Sequence, residues 1–359
     1  MKKLDYYIIK KFIGTFFYAI ALLSVIIIIF DISENIDDFI ERKPSLYEIV
    51  FQFYANFLPF FINKFSALFT FISVIFFTSK MAADTEIIAI LNSGVSFNRL
   101  LRPYFIAAAF LGMISFVLTN FIIPETSENM HEFQKKYLKS EKFGGNRNNI
   151  HIQIDPGVFA YVETYNVKQN TGYRFALEKF NQKGMVYKLT GDNIKWDSVN
   201  NQWVIEKYIK RYIDEKGEKI SKGEKFDTIL NLKPEDFNID VDYAVYMNYR
   251  ELRDFIATEK IRGSGNLMKF QVEKHARIAY PFATIILTLI GVALSSRKVR
   301  GGIGLNLGIG ISITFAFILF MQVTTVFATF SNLPPGLAVW IPNVLFGILG
   351  LYLLKIAPK

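Results

Sequence analysis

Residues 104–133 read YFIAAAFLGMISFVLTNFIIPETSENMHEF, and within them an unbroken apolar run gives way to a polar stretch with helical spacing. Polar character then persists for roughly 145 residues, between Phe121 and Leu267, before a second apolar part of the chain begins. Outward from this junction, six stretches are long and apolar enough for a bilayer, whose hydrocarbon of about 30 Å takes roughly 20 helical residues. They lie at about 12–30, 49–78, 104–123, 270–295, 303–330 and 337–354. The chain has 359 residues and is 51% hydrophobic and 16% aromatic, concentrated in runs that one water-soluble core could not bury. The expected fold is membrane α-helical, with six transmembrane helices in a 3+3 arrangement around an inserted, antiparallel β domain. Its parts are residues 1–123, 124–267 and 268–359.

Lys and Arg in the short loops set the orientation of such a protein. Lys2, Lys3, Lys10 and Lys11 precede the first span, and Lys80, Arg99 and Arg102 separate the second from the third. Arg297, Lys298 and Arg300 follow the fourth, and Lys355 and Lys359 end the chain. These four segments share one side. The opposite loops hold only Arg42 and Lys43 against six acids, and no charge between Phe327 and Trp340. Both termini are therefore expected in the cytoplasm and the insert outside. The first span begins like a signal sequence but passes into Asp31, Glu34, Asp37 and Asp38 without a small-residue cleavage site, and so reads as a retained anchor.

The formal charge of +9 invites a nucleic-acid partner, yet the basic residues are distributed as topology signals. Residues 124–269 carry 24 Lys plus Arg against 22 Asp plus Glu, which argues against that partner. There are no cysteines, so the outer domain folds without disulfides. It opens with a helical segment at about 126–140, where Met130, Phe133, Tyr137 and Leu138 recur at helical spacing. The period then changes to two. Segments at 151–154, 158–165, 173–180, 185–196, 202–213 and 226–232 are rich in β-branched and aromatic residues and are separated by Asn, Gly, Asp or Pro. Turns are expected at Val199-Asn200-Asn201-Gln202 and Glu215-Lys216-Gly217-Glu218, in an antiparallel sandwich or open barrel of the jelly-roll type. Helical spacing returns near Asn248, with Leu252, Phe255 and Ile256 on one face, and Gly263-Ser264-Gly265 forms a hinge into the fourth span.

The loop between the second and third spans holds a short helix, Asp84 to Leu91, closed by Asn92-Ser93-Gly94. It reads either as a docking helix for a soluble partner or as a plain membrane-surface helix. Catalytic signatures are missing from the sequence. It has no G-x-x-x-x-G-K-[ST] phosphate loop, no H-E-x-x-H pair and no G-x-S-x-G elbow. His131, His151 and His275 lie far apart, so neither a metal site, a cofactor nor a catalytic centre is expected. Lys64 stands inside the second apolar stretch and either meets an anionic lipid headgroup or snorkels to the interface after a kink at Pro59. Glu273, Lys274 and Arg277 form either an outer gate or interfacial anchors. Gly304 and Gly308 have the spacing that lets another helix approach closely.

Four motifs carry a resemblance. Leu4-Asp5-Tyr6-Tyr7, the loop Asp84-Thr85-Glu86-Ile87-Ile88-Ala89-Ile90-Leu91-Asn92-Ser93-Gly94, Arg277-Ile278-Ala279-Tyr280-Pro281 and Arg300-Gly301-Gly302 look like the LptF/LptG (YjgP/YjgQ) permease family. Asn193-Ile194-Lys195-Trp196-Asp197 followed by Gln202-Trp203-Val204-Ile205 also fits, and Leu4-Asp5-Tyr6 leans toward the LptG-like member. The resemblance covers the whole chain. It implies an inner-membrane subunit of the lipopolysaccharide exporter of Gram-negative bacteria, with a periplasmic jelly roll and no catalysis of its own. Implied partners are the paralogous permease, an LptB ATPase dimer, LptC, LptA and lipopolysaccharide.

By similarity Glu86 is the acidic contact to the ATPase, with Asp84, Ile87 and Ile90 beside it and Gly94 ending the helix. The family's cations for lipid A phosphates at the outer end of the first span are replaced here by acids. Lys64, Lys135, Lys136, Lys139 and Arg277 remain as substrate-binding candidates. Two other classes stay open at this point, a membrane-anchored sensor or scaffold with a ligand-binding β domain, and an enzyme acting on lipid headgroups.

Overall fold

A computed structural model describes residues 2–138, 146–167, 169–214, 217–237, 243–264, 266–297, 302–331 and 333–357. Helix α1 runs from Lys3 to Arg42 and α2 from Ala55 to Ala83, the latter preceded by a π-helical run Glu48–Tyr54. After the short α3, Glu86–Asn92, helix α4 (Phe97–Val117) continues through a second π-helical run, Leu118–Ile122, into α5 (Ile123–Tyr137). Strands β1 to β6 follow, then the one-turn α6 (Tyr243–Tyr246) and α7 (Tyr249–Ile261). Helices α8 (Leu267–Ser295), α9 (Gly302–Phe330) and α10 (Pro335–Ile356) complete the chain. Among the described residues six helical stretches are long and apolar enough to cross a membrane, three before the sheet and three after it.

The described chain forms two compact units. One comprises Met1–Leu138, Val245–Tyr249 and Gln271–Lys359, and the other Lys139–Ala244 with Arg250–Phe270. In the helical unit α5 packs on the run before α2, with Phe133 stacked on Phe53 at 4.9 Å between centroids. An aromatic column of Phe12, Phe77 and Tyr104 joins α1, α2 and α4, with centroids 5.5 and 5.3 Å apart. Three hydrogen bonds pair buried polar groups between helices. Asn306 Nδ2 donates to Ser79 Oγ at 3.0 Å, Asn343 Nδ2 to the Ala279 carbonyl at 3.1 Å, and the Thr78 hydroxyl to Tyr104 at 3.1 Å. Where α8 crosses α2, only glycine fits, because a Cβ on Gly291 would run into Val74 Cγ1.

The second unit holds a single antiparallel sheet in the order β1 to β6: Asn146–Asp155, Val158–Asn166, Thr171–Asn181, Gly184–Asp197, Gln202–Asp214 and Gly217–Thr228. A jelly roll in the strict sense contains Greek-key crossovers. Here neighbours in the sheet are neighbours in sequence, so the strands form a meander. One row of the sheet is irregular. In every strand pair the ladder lapses along this row without any change of register, so that Asn149, Glu163, Arg174, Asp192, Lys207 and Glu224 lie between paired residues. Asn149, Arg174 and Lys207, on alternate strands, have left-handed φ values of 54°, 52° and 49°. The register shifts lie elsewhere, between Gln153 and Asp155 and between Lys179 and Phe180. A left-handed residue breaks the extended backbone of its strand, and the row is a crease across the sheet. Arg174 is held in it by Nη1 donating to both Glu163 oxygens, at 2.8 and 2.7 Å.

One face of the sheet carries Val162, Phe175, Leu177, Leu189, Ile194, Trp203 and Ile205. The segment after β6 covers part of it, with Trp203 Nε1 donating to the Leu232 carbonyl at 2.7 Å and Phe237 stacked on Tyr165 at 4.3 Å. The last strand differs from its expected position at 226–232. It begins at Gly217, in a lysine-rich stretch without apolar alternation, because it is a sheet edge, where Lys219, Lys222 and Lys225 suit solvent and discourage further pairing. Asn201, in the expected β4–β5 turn, is left-handed at φ 50°. The other expected turn includes Glu215 and Lys216, which lie outside the described residues, as do Gly265 of the hinge and Arg300-Gly301 of the last motif.

Candidate functional site

Polar groups of the helical unit gather at the two ends of α1. At its start the loop after α2 reverses at Thr85, whose φ of 60° is left-handed and sets α3 off in a new direction. Ile87 is 1% exposed and fixes α3 to the bundle, assisted by the partly buried Ile90 and Leu91. Asp84 and Ile88 face out. The helix closes with the Ser93 hydroxyl donating to the Ile90 carbonyl at 2.7 Å and with Gly94 at φ 85°, a backbone state suited to glycine. Two residues later Ser96 caps α4 by accepting from the Arg99 backbone N–H at 3.3 Å.

Two contacts fasten this loop to α1. Arg99 donates from Nη1 and Nη2 to the two oxygens of Asp5 at 2.6 and 2.7 Å, the forked arrangement that gives guanidinium–carboxylate pairs both strength and direction. Asp5 is 4% exposed and also accepts from the Lys2 backbone N–H at 2.8 Å. The Tyr7 hydroxyl lies 3.2 and 3.0 Å from the two Glu86 oxygens, to which it donates. Glu86 is thus half-buried and already oriented, while Asp84 is open.

At the other end of α1, Tyr54 donates to Asp31 Oδ2 at 2.8 Å. Arg42 Nη1 donates to the Lys136 carbonyl at 2.9 Å, and Phe39 meets Phe133 edge-on. Glu48 Oε1 accepts from Lys136 Nζ at 3.0 Å and from the Tyr137 hydroxyl at 2.6 Å. Glu34 and Asp37 are exposed. The same end therefore presents acids on α1 and lysines on α5.

The substrate-binding candidates separate into distinct environments. Lys64 is exposed on α2, its ammonium 5.6 Å from the Phe60 ring centroid. Lys135 is exposed, Lys136 is exposed but paired with Glu48, and Lys139 lies outside the described residues. Arg277 corrects the sequence reading. It is 1% exposed, donating to Glu273 Oε1 at 3.1 Å, the Met247 carbonyl at 2.7 Å and the Val245 carbonyl at 3.2 Å. These partners make it an anchor between α8 and the α6 segment, with no face left for a ligand. Ile87 is likewise internal. Ile88, 47% exposed, is the apolar side chain that α3 offers outward, and the sequence reading passed over it because Ile87, Ile88, Ile90 and Leu91 crowd one short helix. Gly304 and Gly308 line an open apolar groove on α9 with Ser312 and Ala316.

A six-span helical unit, a β unit set into the middle of the sequence and an oriented acidic loop helix define a multi-pass membrane protein of the permease type. The family of the lipopolysaccharide export system permease LptF/LptG matches residues 6–356, and the chain belongs to that family. A comparison with curated proteins gives no match. The family places the chain as a transmembrane permease component of lipopolysaccharide export, an inner-membrane and multi-pass protein.

Proposed function

We propose that this chain is one of two paired permease subunits that extract lipopolysaccharide from the inner membrane, driven by a separate LptB ATPase dimer, and pass it to a periplasmic bridge of LptC and LptA. The short-loop cations support a topology with both termini cytoplasmic and the β unit periplasmic. Removing several hundred Å² of acyl surface from a bilayer, at about 25 cal/mol per Å², costs on the order of 10 kcal/mol or more, so extraction needs an outside energy source. The phosphate-loop motif of common ATPases is missing from the sequence. Energy then has to enter through a contact with another protein, and α3 is the segment built for it. Its observation of most weight is the oriented Glu86 carboxylate beside the open Asp84 and Ile88. Ile87, Ile90 and Gly94 hold that helix in shape.

Lys64, Lys135, Lys136 and Lys139 are the proposed meeting points for the anionic headgroup. Arg277 keeps α8 in place. The test is a complex of this chain, its paralogous permease and the ATPase, reconstituted with rough lipopolysaccharide. Glu86→Ala is expected to lower ATP-driven release at least tenfold and to weaken co-elution of the ATPase. Full release and full co-elution would instead favour a membrane-anchored scaffold.

A further inference from the structure

Helix α1 has contacts at both ends, and the permease reading uses only the one between Tyr7 and Glu86. At 40 residues it is about 60 Å long, twice the hydrocarbon thickness of a bilayer, so it protrudes from the membrane. Its first two turns are bound around the docking loop at two points, one at the first residue of α3 and one on α4. Arg99, just past the loop, grips Asp5, and Glu86, at the loop's start, accepts from Tyr7. Neither contact is local, since the partners are 94 and 79 residues apart in the chain. The Phe12–Phe77–Tyr104 column also joins α1 to α2 and α4. At its far end α1 reaches the lysine-bearing α5 through Arg42 and the Lys136 carbonyl, and the segment before α2 through Asp31 and Tyr54.

We infer that Asp5 and Tyr7 are positioning residues which clasp the base of α1 to the docking loop, so that a push on α3 is carried along α1 to the Lys136 end. The inference rests on the proposed function and deepens it. A rod about 60 Å long turns a tilt of about 5° at its base into a displacement of about 5 Å at its tip, enough to break and remake the contacts there. Tyr7 has a second effect. By holding the Glu86 carboxylate in one orientation it spares the docking step the cost of ordering that side chain.

A passive structural pair and a transmitting clasp differ in one quantity, the number of ATP molecules hydrolysed per lipopolysaccharide released. That ratio is to be measured in proteoliposomes holding both permeases and the ATPase, with co-elution of the ATPase recorded for every variant. Tyr7→Phe, which removes one oxygen, is expected to raise the ratio about threefold. Asp5→Arg and Arg99→Asp are each expected to raise it at least fivefold, and the double exchange Asp5→Arg with Arg99→Asp to return it to within twofold of the parent. Should the single exchanges not assemble, the double exchange and Tyr7→Phe still decide. A parental ratio in Tyr7→Phe together with no rescue by the double exchange overturns the clasp. If Glu86→Ala is defective while these variants behave as the parent, the clasp alone fails. If Glu86→Ala is also indistinguishable from the parent, the docking reading beneath it fails too.

Discussion

The two compact units are built inside out with respect to one another. The helical unit buries Thr70, Ser73, Thr78 and Ser79 and turns Phe30, Phe315 and Ile348 outward, each more than half exposed. The β unit does the reverse. Trp203, Ile205 and Val162 are fully buried, and its crease carries Glu163, Arg174, Asp192 and Lys207, ions that belong in water. Apolar surface outside costs nothing in hydrocarbon, and small hydroxyl residues inside let helices approach and bond across the gap. Charge outside and aromatics inside are what water selects. One polypeptide thus carries two surfaces suited to two solvents.

The comparison is sharpened first by an all-or-none experiment. The chain has no cysteine, so single introduced thiols report cleanly. Val199→Cys, at an 86% exposed turn of the β unit, is expected to react with an impermeant maleimide in intact spheroplasts. Ile88→Cys is expected to react only after permeabilisation. The opposite pattern would invert the topology.

A smaller effect comes from placing the same charge on both outer surfaces. Ile318→Asp, on the outward face near the middle of α9, is expected to cost about 3 kcal/mol of membrane insertion, read as the integrated fraction of the protein. Val199→Asp is expected to change stability by less than about 0.5 kcal/mol. Equal costs at the two sites would break the comparison. Next in size is Arg277→Met. It leaves the Val245 and Met247 carbonyls and Glu273 without their donor, at a cost of about 2 kcal/mol in unfolding free energy, measured in mild detergent.

Much of this was legible in the sequence, and what was not has a common physical cause. Hydropathy placed all six helices, because a span must be both apolar and long. Alternation placed β2 to β5 within two residues of their observed limits and caught only the second half of β1. It missed most of β6, whose outer edge binds no further strand and so needs no apolar alternation. The crease was invisible, since Asn149, Arg174 and Lys207 are ordinary strand residues until their φ values are known. At the site, the position of α3 could be read from the loop motif, while Glu86 was singled out by the family resemblance. The Tyr7 and Asp5 contacts could not, because they join residues on different helices and no spacing rule reaches that far. The sequence likewise marked Arg277 as a cation at a membrane surface. Only the fold shows that the α6 segment returns to occupy its donors.

The central claim, that the chain moves lipid only when another protein's ATP cycle moves it, has a direct test. Release of rough lipopolysaccharide to a soluble acceptor is measured from proteoliposomes containing this chain and its paralogous permease, with and without the ATPase and ATP. The account predicts release above background only when ATPase and ATP are both present. Release at the same rate from the permeases alone would contradict it.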